Sequence, residues 1–106
     1  MARMKTTDEI RENLREGKVE LTMHSLKRIV QRNISEREIR EAADLAVIIE
    51  DYPDDKYYPS YLLLGFTQRD RPLHLHVSRM PGDYTRLITI YEPNSQEWVD
   101  NYSKRK

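Results

Sequence analysis

Between Val47 and Tyr91 the chain reads as four apolar-rich runs, 47–52, 61–67, 73–80 and 84–91, joined by short links. Parallel strands need a crossover of about a dozen residues or more, so links of this length point to an antiparallel meander. Pro53 with Asp54-Asp55, the polar loop Gln68–Pro72 and the turn Pro81-Gly82-Asp83 supply the punctuation between runs.

The residues ahead of this sheet carry helix signals. Thr6 followed by Glu9 is a capping box, Ile10 and Leu14 repeat at helical spacing, and Gly17 suits a left-handed exit, so a first helix is expected over about 7–16. Val19–Thr22 alternates apolar and polar residues, and Thr22 can cap a second helix running to about Arg32, with Asn33 at its exit. Ser35 and Glu38 form another capping box, opening a third helix whose Ile39, Ala42, Ala43 and Ala46 share one side. Alanines so placed predict a close approach to the sheet or to a neighbouring helix. Trp98, Val99 and Tyr102 suit one short helical or turn-like face, and the tail 101–106 is expected to fray.

The expected fold class is therefore α+β, with N-terminal helices packed on a central antiparallel four-stranded sheet. A chain of 106 residues has room for one hydrophobic core, and a single domain over 1–106 is expected, with an N-terminal helical segment over 1–18. No run approaches the roughly 18 apolar residues of a membrane span, and MARMKTTDEIRENL lacks the apolar stretch of a signal peptide. A cytoplasmic location is expected, which the absence of cysteine fits. That absence also removes thiolate metal sites and cysteine nucleophiles, leaving His, Arg, Tyr, Ser, Thr and carboxylates for any chemistry.

The formal net charge is zero, which argues against wholesale nucleic-acid binding. The balance is uneven, however: residues 1–40 carry ten Lys/Arg against seven acids, whereas residues 41–60 carry Lys56 against six acids. A local basic site remains open.

On an ideal helix His24, Arg28, Gln31 and Arg32 fall in one sector, with Leu26, Ile29 and Val30 opposite as the expected core face. Such a cationic face is either a solvated surface or a site for an anion. In Leu73-His-Leu-His-Val77 the period of two sends His74, His76 and Ser78 to one side of the sheet. An i, i+2 histidine pair can ligate a metal, but no helical His-Glu-x-x-His or comparable spacing accompanies it, and no metal or cofactor is expected. Each imidazole is either catalytic or satisfied by a neighbouring Tyr or acid. The last run places Ile88 and Ile90 on one face and Leu87, Thr89 and Tyr91 on the other, so a hairpin with 73–80 can bring Thr89 and Tyr91 beside the histidines. Groups of these types suit phosphodiester cleavage: a base takes the 2′-hydroxyl proton, arginines stabilise the phosphorane, and an acid protonates the leaving 5′-oxygen. Tyr52, Tyr57, Tyr58 and Tyr61 around the acidic segment are either edge packing, base-stacking groups or a partner surface.

His24-x-x-x-Arg28-x-x-x-Arg32-x-Ile34-Ser35, followed by Ile49-Glu-Asp-Tyr-Pro53, Tyr61-Leu-Leu-Leu-Gly65-Phe66, Pro72-Leu-His74 and Ile88-Thr-Ile-Tyr-Glu-Pro93 with Trp98, resembles the bacterial family called domain of unknown function 4258. The resemblance covers about residues 19–100, taken as the family core. It implies a RelE-like fold of the barnase/EndoU/colicin group, in which many members cleave RNA without a metal. It also implies a toxin of a toxin–antitoxin pair, silenced by a zinc-finger antitoxin of the MqsA/YgiT type. By the same resemblance His24, Arg28, His74 and Tyr91 are the catalytic set, and Arg32, His76 and Thr89 bind the RNA substrate. The competing reading is a non-catalytic protein-binding module on the same fold.

Overall fold

The computed structural model describes residues 3–106, so residues 1 and 2 of the expected 1–106 domain lie outside the described part. Helices α1 (Thr7–Arg15), α2 (Met23–Gln31) and α3 (Glu36–Asp44) each begin at the cap named by the sequence. Thr6, Thr22 and Ser35 accept the backbone N–H three residues on, while Glu9, Ser25 and Glu38 reach back to the cap N–H. Helices α1 and α2 leave through left-handed residues, Gly17 at φ 76° and Asn33 at φ 52°. The following N–H groups, of Lys18 and Ile34, return to the carbonyls of Asn13 and Ile29, closing both ends as Schellman motifs.

Strands β2 (Val47–Tyr52), β3 (Ser60–Phe66), β4 (Pro72–Ser78) and β5 (Thr85–Tyr91) form the antiparallel meander. The sheet has one strand more than the sequence reading gave: β1 (Val19–Leu21) lies parallel to β5, in the order β1-β5-β4-β3-β2. The sheet is therefore mixed and five-stranded. Three residues paired across the whole α2–β4 segment give no local pattern beyond alternation, and alternation does not name a partner.

The core lies between one sheet face and the α1/α3 layer, with Ile10, Leu14, Ile39, Ala42, Ala43 and Ala46 packed against Leu63, Leu73, Leu75, Val77, Leu87 and Ile90. Alternation assigns Leu87 to the face of Thr89 and Tyr91, yet it joins Ile90 in the core. The cause is a register shift: His76 faces Thr89 while Val77 faces Leu87, so Ile88 is an extra residue and reverses the parity behind it.

Helix α2 departs from expectation in the same region. Only Ser25 is buried on it, and Ile29 packs partly on the core, whereas Leu26 (45% exposed) and Val30 (73%) face outward. The helix lies over the sheet margin at β1 and β5, so the side opposite its basic face meets little protein.

The tail does not fray. Strands β6 (Trp98–Val99) and β7 (Lys104–Arg105) form a hairpin, turned by Asp100, Asn101 and Tyr102, all at positive φ. It lies on the sheet face that carries His74, because Trp98 and the Tyr102 carbonyl both contact that ring. No helix among the described residues is long and apolar enough to cross a membrane.

Candidate functional site

The Ile88 bulge positions the site. Its carbonyl accepts the Thr22 hydroxyl at 2.8 Å, so the cap of α2 is fastened to β5 one residue before Thr89. His24 in the first turn, Arg28 one turn later and Arg32 at the C-cap then face Thr89 and Tyr91 across a cleft of about 290 Å³. Glu92, Pro93, Asn94, Glu97 and Trp98 complete its wall.

Arg71 fixes the far end. Its guanidinium donates to the carbonyls of Arg32 (2.8 Å) and Asn33 (3.2 Å), to Glu38 (2.9 Å) and to Glu92 (2.6 Å). Helix α2, helix α3 and the end of β5 meet on this one side chain. Burial alone would raise the Glu38 pKa, but the bonds from Arg71 and the Ser35 N–H outweigh it and hold the carboxyl low. Nothing in the spacing of the sequence marks Arg71.

The charge in the cleft is uneven. Glu92 is occupied by Arg71, whereas among the described residues Arg28 and Arg32 face no carboxylate within salt-bridge distance. Two free guanidiniums one helical turn apart suit a bridging phosphate, each offering a planar fork of donors. His24 is exposed beside them.

His74 does not line the cleft. It is fully buried behind Tyr91, directly opposite it in the β4–β5 register, with Nδ1 at 3.1 Å from the Tyr91 hydroxyl and Nε2 at 2.8 Å from the Tyr102 carbonyl. Trp98 meets the ring edge-on at 4.3 Å between centroids. Desolvation lowers the His74 pKa, and it pushes the Tyr91 phenol up to about 12. Both groups are neutral near pH 7, and His74 can act on a cleft ligand only through Tyr91.

His76 sits outside the cleft, beside the acidic loop over Asp51–Asp55. Ser60 donates to Asp55 at 2.5 Å, and His76 Nε2 lies 2.8 Å from the Ser60 oxygen and 3.4 Å from Asp55. With Ser60 fully buried, this cluster latches the 53–59 loop and offers no nucleophile to solvent. Tyr52 packs edge-on against His76 and donates to Glu50, so that tyrosine is packing. No group of three or more His, Cys, Asp or Glu side chains suited to a metal ion occurs among the described residues.

The structure thus gathers His24, Arg28, Arg32, Thr89 and Tyr91 in one cleft, sets His74 behind it and leaves His76 apart. The support from the tail was not legible. The Tyr102 carbonyl is a backbone group, and the Arg105 fork on Glu50 (2.8 and 3.1 Å) joins distant parts of the chain.

The model of the family described as Domain of unknown function (DUF4258) matches residues 21–92, a span that holds every one of these cleft-facing His, Arg, Thr and Tyr residues and ends before the C-terminal hairpin. No curated protein and no solved structure matches the chain.

Proposed function

The chain belongs to the family of domain of unknown function 4258, and from the chemistry of its cleft we propose that it is an endoribonuclease that cleaves RNA by attack of the 2′-hydroxyl on the adjacent phosphodiester. The observation that carries this reading is the coincidence in one cleft of an exposed imidazole, two guanidiniums without carboxylate partners and a phenol held by a buried histidine. Arg28 and Arg32 bind the scissile phosphate and take up charge as it becomes a phosphorane. Thr89 supplies a hydroxyl for positioning, and His24 and Tyr91 stand where protons must move. Side chains suffice for this chemistry, and no metal is assigned a role.

Helices packed on a largely antiparallel sheet support placement in the RelE-like group, and with it the role of an intracellular toxin restrained by a zinc-finger antitoxin. The second reading, a partner-binding module without turnover, draws on the outward face of α2, where Met23 (71% exposed) and Val30 (73%) present apolar surface. Turnover is what separates the two readings.

Inducible expression of wild type and His24→Ala in a bacterial host, at matched protein levels, tests the proposal through growth and mapped RNA 5′ ends. Arrest with new cleavage sites in the wild type alone is the expected result. Unchanged RNA in both strains refutes the nuclease and favours the binding module.

A further inference from the structure

The nuclease reading leaves open which group removes the 2′-hydroxyl proton and which protonates the leaving oxygen. The hydrogen bonds of the buried histidine bear on this order. The Tyr102 carbonyl can only accept, so the Nε2 of neutral His74 must carry the ring hydrogen. Nδ1 is then a bare lone pair, and the Tyr91 O–H must donate to it. Tyr91 therefore turns its proton inward and shows the cleft an oxygen lone pair.

What imposes this tautomer is the C-terminal hairpin. Asp100, Asn101 and Tyr102 adopt φ of 51°, 57° and 70°, a backbone that L residues avoid in succession, and the turn they make delivers the Tyr102 carbonyl to His74. The Arg105 fork on Glu50 ties the hairpin to β2, while the stacking of Arg105 on Trp98 at 4.7 Å and the Lys106 N–H on the Glu97 carbonyl at 2.9 Å brace it internally.

We infer that this hairpin is a strap that sets the proton order of the cleft, with Tyr91 and His74 as the relay that accepts the 2′-hydroxyl proton and His24 as the acid. The relay rests on the nuclease reading, whereas the tautomer does not. As the 2′-oxygen bonds to phosphorus, its proton passes to the Tyr91 oxygen while the Tyr91 proton passes to His74 Nδ1. The bond from phosphorus to the 5′-oxygen breaks, and that oxygen takes a proton from the His24 imidazolium. The products are a 2′,3′-cyclic phosphate and a free 5′-hydroxyl; the His74 proton returns to the Tyr91 oxygen as the Tyr91 oxygen releases its own to solvent, and His24 takes a proton from solvent. The charged and titratable groups around His74 are Tyr91 from β5, Glu50 from β2 and Arg105 from the strap; Glu50 favours its imidazolium and Arg105 opposes it. His74 is thus a positioning residue that acts through Tyr91.

Imidazole nitrogen NMR on the full chain with ¹⁵N-labelled histidine reads the tautomer directly at pH 7.5. A protonated Nε2 with a bare Nδ1 at His74 is expected, and Tyr91→Phe should move the Nδ1 resonance alone; a hydrogen on Nδ1 overturns the inference. Arg105→Gln, a change on the outer side of the strap, should leave the fold intact and give a mixture of His74 tautomers. An unchanged tautomer there removes the strap's role. On an oligoribonucleotide, Tyr91→Phe and His74→Gln should each slow cleavage by about 10²- to 10⁴-fold, with the double variant no slower than the worse single one. Multiplied losses refute the relay. A wild type with the expected tautomer that cuts no RNA overturns the nuclease and its relay, while the strap's control of the tautomer stands.

Discussion

Replacing Gly65 with alanine tests the packing that seats α3 on the sheet. A Cβ at this position would stand 1.9 Å from the Ala42 carbonyl oxygen, 2.6 Å from its carbon and 3.0 Å from its Cα. Ordinary contact begins at 3.4 Å, so the strand and the helix must separate by about 1.5 Å, and both parties are backbone that cannot rotate away. Overpacking of a close-packed core costs about 1–3 kcal/mol, and a clash between two backbones belongs at the top of that range. The relief of chain entropy on losing a strand glycine returns about 0.5–1 kcal/mol, leaving a net loss of roughly 2 kcal/mol. For a domain of this size that is a fall in Tm of about 10–15 °C. Urea and thermal unfolding followed by far-UV circular dichroism, with the fluorescence of buried Trp98 as a second probe, measure it. Because α3 carries Glu38 against Arg71, the same separation should loosen the far end of the cleft. A loss below about 0.5 kcal/mol, or a stabilised variant, would refute the argument that backbone contact dictates glycine here.

Arg71→Ala removes the side chain that joins the ends of α2 and β5, and with charged bonds worth about 1.5–3 kcal/mol it should destabilise the fold by about 2–3 kcal/mol. It should also cut any RNA cleavage; urea midpoints and cleavage rates check the two effects, and full activity in a destabilised protein would show that the clamp does not set the cleft. Acidification should weaken the fold through the two buried imidazoles first. Burial holds His74 and His76 below the ordinary histidine value of 6.5, so their contribution is fully present above that pH and is lost as pH falls toward their folded values. Urea midpoints at pH 7.5 and 5.0 should differ in that sense, and equal midpoints would mean that the rings are not desolvated. Glu38, Glu50 and Asp55, which are held low, add their loss only at more acid pH.

What the sequence made legible was local. The capping boxes of Thr6 with Glu9 and Ser35 with Glu38 involve residues three apart and are formed as read, and Thr22 caps α2, where Ser25 completes a box that the sequence reading did not name. The α3 alanines announced a close approach, and Gly65 is where it occurs. Alternation placed His74 and His76 on one face of β4, and the hairpin turn brought Tyr91 and Thr89 opposite them. Besides the parallel strand β1, three features escaped the sequence for separate reasons. Parity across β5 was lost because one inserted residue, Ile88, reverses it, and no residue type marks a bulge of this sort. The core face of α2 was misjudged because helical periodicity finds an apolar side without knowing whether protein covers it. The hairpin was missed because its left-handed turn uses Asp, Asn and Tyr where glycine would have signalled it.

Zero net charge is the feature of the sequence that sits least easily with a nuclease, and the distribution of ion pairs answers it. Arg3, Arg11, Arg15, Arg40, Arg71, Arg86 and Arg105 each face a carboxylate, so these seven guanidiniums are matched by acid outside the cleft. Within about a Debye length, near 8 Å at physiological salt, an incoming phosphate responds to local charge and not to the total. There it meets Arg28 and Arg32 unpaired, His24 beside them and Glu92 already bound to Arg71, with Glu97 left as the opposing acid on the wall. A neutral chain of this design has little long-range attraction for nucleic acid, and it keeps two guanidiniums free of carboxylates where a phosphodiester would have to sit.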